Sequence, residues 1–249
     1  WAMSGGLTSR MTSSHIVTSS HRRTFRGTIA GISAVGCWTT VAAFMSASKG
    51  VHPLLYTGIE YFLGAVLLFA LTHSKGERIR PAIAGIPLWF LILGSLLFTL
   101  QAVATVAAFQ FAPPLEALMF HYQWPMLVVV FTSIALGKKL HGYHYVAVAF
   151  GLSGLMVTLL GRGLDLASFS YAPGLLWAIV SSCTWSLYSA LAARQNNVGM
   201  TSLGVFFLVG SVICLALWVV ILGAPLAEGR LMAIATLGGF VSMLGYVLW

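Results

Sequence analysis

Residues able to do chemistry are sparse in this 249-residue chain and stand inside long apolar runs. Glu60 is the only carboxylate well within such a run. There it could bind a substrate amine, relay a proton, reach the outer interface, or pair with a polar neighbour. The stretch LEALMFHYQWP, Leu115–Pro125, follows Pro113 and Pro114, where proline suits a helix start. Within it His121 and Trp124 are three apart and share a helical face, whereas Gln123 points toward the side of Met119. Pro125 withdraws a backbone donor and is expected to kink the helix. A His–Trp pair beside a kink suits the wall of a solute cavity, or an interhelical contact that holds the bundle together. Similar stripes recur: Ser181, Thr184, Trp185 and Tyr188; Trp38, Thr40 and Phe44; Gln101 and Thr105. Each alone reads as packing, while their coincidence on four helices favours a shared interior lined by aromatic and polar groups. Glu116 falls in the first turn of its helix, where negative charge complements the helix dipole.

This inventory argues against an enzyme. A lipid-modifying catalyst would need clustered carboxylates, a His/Asp metal constellation or a nucleophile–base pair, and one Glu with one His forms none of these. Cys37, Cys183 and Cys214 are scattered singly and read as small packing residues, so no metal or cofactor is implied. No ring of charges or carbonyl filter of an ion channel is visible.

The elements that must position these residues are membrane helices. Apolar residues make up 59% of the chain and charged ones only 7%, against about 25% in ordinary soluble domains. So few charges cannot coat a water-soluble body of this size. Seven runs match the roughly 20 residues needed to cross a bilayer: Gly27–Ser48, Leu54–Leu71, Pro87–Phe111, Pro114–Leu136, Tyr145–Leu160, Pro173–Ala193 and Thr201–Leu222. The fifth is the shortest. An eighth begins near Leu231 and is still apolar at Trp249, which raises the expectation of missing C-terminal sequence. Residues 1–26 are rich in Ser, Thr and Arg and read as a disordered cytoplasmic tail.

The net charge of +8 does not indicate nucleic acid, because the basic residues sit in short loops between apolar runs. With the N-terminus in the cytoplasm, Arg10, Arg22, Arg23, Arg26, Lys75, Arg78, Arg80, Lys138, Lys139 and Arg194 lie inside. Only Lys49, Arg162 and Arg230 lie outside. The first and sixth spans align through Gly27 with Gly174, Ile32 with Ile179 and Trp38 with Trp185. The third and eighth align through Gly94 with Gly238, Leu100 with Leu244 and Val103 with Val247. Both alignments imply a repeat of about five spans, and an odd number inverts the second copy. The expected organisation is therefore residues 27–160 as a first five-helix repeat and 161–249 as an incomplete second one, helices six to eight.

On these residues the chain resembles the EamA-type drug/metabolite transporter superfamily, and within it the bacterial aromatic amino acid exporters. The resemblance runs from about Gly27 to Trp249 and is strongest in CWTT at Cys37–Thr40, GSLLF at Gly94–Phe98, LEALMFHYQWP, and TWSLYSALAAR at Thr184–Arg194. The family's fourth-span motif is close to Asn-Tyr-Leu-Trp-Pro. Here Tyr122, Trp124 and Pro125 match it, while His121 and Gln123 depart from it. An arginine common in the family's second span has Glu60-Tyr61 in its neighbourhood here. The resemblance implies an all-α membrane protein of ten helices in two inverted repeats, both termini cytoplasmic, of which about eight helices are present here. It implies multi-pass insertion in the bacterial inner membrane and export of aromatic or bulky apolar amino acids and related metabolites by alternating access, without a cofactor. Other metabolites or cationic drugs are the alternative cargo. It puts Trp124 and Trp185 at the central cavity, with Tyr122 and His121 beside them. Combined with the stripes above, the candidate substrate-binding set is Trp38, Thr40, Gln101, His121, Tyr122, Trp124, Trp185 and Tyr188, with Glu60 as a candidate proton or amine site.

Overall fold

A computed structural model describes residues 28–76, 78–79, 84–161, 172–195, 199–223 and 228–248. The N-terminal tail expected to be disordered lies outside the described residues. Among the described residues, eight long helices follow one another: α1 (Thr28–Ala47), α2 (Pro53–Ser74), α3 (Leu88–Phe111), α4 (Pro114–Leu136), α5 (Gly142–Gly161), α6 (Ala172–Ala192), α7 (Met200–Leu222) and α8 (Gly229–Leu248). Seven of these, α1 to α4 and α6 to α8, are long and apolar enough to cross a membrane.

Local chemistry sets the helix ends. At the start of α2, the His52 ring accepts a bond from the Leu54 amide at 3.2 Å, and Pro53 occupies the first position, where no amide donor is needed. Partial burial lowers the His52 pKa below its ordinary value, which favours the neutral ring that can accept this bond. Gly137 and Gly223 close α4 and α7 in the left-handed conformation, at φ 64° and 68°.

Helix α2 sits at the centre, against α7, α8 and α3, and α6 lies along both α3 and α4. Helix α5 touches only α4 to any extent, with Gly151 against Met126, and leaves Phe150 and Val157 exposed. Close approach is made by residues without side chains: Gly238 of α8 meets Phe44 and Tyr56, and Gly174 of α6 meets the backbone of Phe111 and Ala112. Two aromatic contacts tie helices far apart in sequence. Trp38 of α1 lies on Gly245 and Tyr246 of α8, as Trp185 of α6 lies on Phe98 of α3.

Candidate functional site

The expected kink is a full break in α4. Helix runs from Pro114 to His121 and resumes at Trp124, with Tyr122 and Gln123 between. Pro125 has no amide hydrogen for the carbonyl of His121, its ordinary i−4 partner. A neighbouring helix supplies the donor. Ser182 of α6 bonds the carbonyls of Phe120 and His121, and Ser186 bonds that of Trp124 at 3.1 Å. The break thus docks on a serine row of α6, and His121 and Trp124 are held against that helix.

From the break a polar chain crosses three helices. His121 Nδ1 lies 3.1 Å from Ser181 Oγ, and Ser181 Oγ lies 2.6 Å from Thr105 Oγ1 of α3. Gln101 donates from Nε2 to Thr105 Oγ1 at 3.0 Å. Ser181 is fully buried and Gln101 and Thr105 nearly so, so the chain runs through the interior.

One helical turn away, about 6 Å along α6, an aromatic lattice begins. Trp185 stands edge-on to Trp124 at 6.2 Å between ring centres, 5.7 Å from Tyr188 and 5.7 Å from Phe98. Phe98 is the hub: it also meets Tyr188 at 5.1 Å, Tyr61 at 5.7 Å and Tyr246 at 6.0 Å. Tyr246 completes the connection to Trp38 at 5.3 Å. Trp38, Trp124, Trp185 and Tyr188 therefore belong to one network of rings, and Gln101 and His121 to the polar chain beside it. The rings contact one another rather than frame a void. A groove lined by Val128, Val129, Thr132, Ser133, Leu136 and Lys138 lies on the second half of α4 and shares none of the candidate residues.

Three candidates stand apart from the chain and the lattice. Thr40 is exposed and donates to the carbonyl of Cys37 on its own helix at 2.8 Å. Tyr122 meets the His121 ring edge-on at 5.6 Å but is 46% exposed. Glu60 is buried on the far side of Tyr61, where α2 meets α8. Among the described residues no group of three or more His, Cys, Asp or Glu could hold a metal ion. Sequence reasoning missed Phe98, Tyr246, Ser182 and Ser186. Phe98 ended a quoted motif, and the serines were signalled only by the carbonyl that Pro125 leaves without a donor.

Comparison with known proteins agrees with this architecture. The EamA-like transporter family matches residues 25–160. An aromatic amino acid exporter, YddG, of Ancylobacter novellus is 30% identical over 173 residues, covering 69% of this chain and 59% of the exporter. An uncharacterized inner membrane transporter, YedA, of Escherichia coli K12 is 26% identical over 201 residues, covering 78% and 60%. The chain thus spans about 60% of the length of these two relatives. A solved crystal structure, 26% identical, superposes with a TM-score of 0.65 over 89% of this chain and 77% of its own.

Proposed function

We propose that this chain, which belongs to the EamA-like transporter family, exports aromatic or bulky apolar amino acids and related small metabolites by alternating access. It is an all-α, multi-pass membrane protein of a family of transporters. The observation that carries the substrate class is the ring lattice abutting a polar chain. Trp and Tyr faces bury an aromatic ring or alkyl chain and attract an ammonium group. The amide of Gln101, the hydroxyls of Thr105 and Ser181 and the imidazole of His121 offer donors and acceptors to an amino acid's polar end. Since the rings touch, substrate takes the place of ring–ring contacts, and the helices part to admit it. Trp124 and Trp185 are the walls, with Trp38, Tyr188 and Phe98 completing the lattice.

The reciprocal pairing of α1 with α8 and of α6 with α3 supports two inverted repeats, 27–160 and 161–249. It is the exchange expected if α1 corresponds to α6 and α3 to α8. The Lys/Arg asymmetry supports a cytoplasmic N-terminus, and the inner membrane transporter among the relatives supports a bacterial inner membrane.

The test is counterflow by the full-length gene product in liposomes, over a panel of amino acids and cationic drugs. Aromatic amino acids should exchange, and Trp185→Ala should weaken their apparent affinity about 2- to 12-fold, the equivalent of one aromatic contact. Exchange of cationic drugs but of no amino acid would reassign the cargo. No exchange of any solute would remove the reading.

A further inference from the structure

Where α2 meets α8, an acid is enclosed, and none of the described titratable groups facing it is a cation. Glu60 is 3% exposed, and its Oε2 has no hydrogen-bond partner. The Ser242 side chain of α8 faces its carboxyl. The titratable groups facing it are Tyr56 and Tyr61 from α2, Cys214 from α7 and Tyr246 from α8. None is a cation, and none carries charge in the neutral range unless perturbed downward. A lone carboxylate in such surroundings is strongly disfavoured, whereas the neutral acid needs only one acceptor for its hydrogen. An acceptor is close by in sequence and in burial: the Tyr56 hydroxyl, one turn earlier on the same face, is also enclosed and unpartnered.

On the α8 side, part of the closure is bare backbone. Gly239 packs on the Cα and Cβ of Glu60, and Gly238 packs on the Tyr56 hydroxyl. A separation of α8 from α2 would open this side of both groups, carrying Ser242 and Tyr246 away with α8.

We propose that Glu60 is a proton-carrying site, holding a proton while α8 is closed on α2 and releasing it when α8 withdraws. This rests on the transport reading above and adds its energy source. In one cycle, Glu60 takes a proton from water on the outer side, forming the O–H bond at Oε2. That bond breaks toward water on the cytoplasmic side as solute leaves in the opposite direction. Net charge on the carboxyl alternates between zero and minus one, and no other reactant is consumed.

Two measurements on the full-length protein test it. Infrared spectra in liposomes at neutral pH should contain a carboxylic-acid C=O band that Glu60→Gln removes and Glu60→Asp retains at a shifted position. Glu60→Gln, a neutral isostere, should unfold at the wild-type temperature. In vesicles carrying a pH-sensitive dye, solute movement by the wild type and Glu60→Asp should be accompanied by proton movement, and by Glu60→Gln should not. Absence of the band, or loss of folding in Glu60→Gln, would overturn the proposal. Wild-type solute exchange with no proton movement, or one driven by sodium instead, would overturn it too and leave the transport reading standing.

Discussion

A single missing hydrogen accounts for much of the local architecture around the site. Pro125 leaves the His121 carbonyl without a partner inside the membrane span, and Ser182 supplies one from α6. Ser182→Ala should therefore destabilise the folded protein by about 0.6–2 kcal/mol, read as a lower unfolding temperature in detergent. Ser189→Ala removes a hydroxyl bonded only to the Trp185 carbonyl of its own helix, and should change stability by less than about 0.5 kcal/mol. Equal effects of the two would show that the serine row does not hold the break. The chemistry of proline made the break legible in sequence, and helical spacing made Ser181, Trp185 and Tyr188 legible as one face. Ser182 and Ser186 were not, because a serine in a membrane helix reads as a small packing residue until the carbonyl it serves is located.

At the scale of elements, the contacts of α8 depend on absent side chains. Gly238→Ala would push a methyl group into Phe44 and the Tyr56 hydroxyl, and should cost about 1–3 kcal/mol through overpacking. Gly36→Ala on α1 meets nothing within 4 Å and should be neutral or stabilise by up to about 1 kcal/mol through helix propensity. Thermal midpoints of the two variants decide the matter, and a neutral Gly238→Ala would mean that α8 does not depend on this contact. Helix positions were readable because apolar runs mark the membrane thickness, although α2 extends to Ser74, past the expected end at Leu71. Hydropathy stops at the hydrocarbon edge, while backbone hydrogen bonds continue beyond it. Partner choice was less readable. Helices such as α7 and α8 are apolar on all sides, so no stripe announces which neighbour each face meets.

At the scale of the whole molecule, the excess of Lys and Arg in alternate loops supports a cytoplasmic N-terminus. In intact cells expressing the full-length protein without its native cysteines, an impermeant maleimide should label Lys49→Cys and not Lys138→Cys. The reverse pattern would invert the orientation. The central place of α2 has a consequence for how the chain is made. Its enclosing partners α7 and α8 are among the last described helices to be synthesised, and the roughly 180 residues between Glu60 and Ser242 take on the order of 10–40 s to translate. For that interval the acid is already committed to the bilayer while its enclosure does not yet exist. A defect that delays α8 therefore acts by lengthening this exposure during synthesis, even when the completed protein is unchanged.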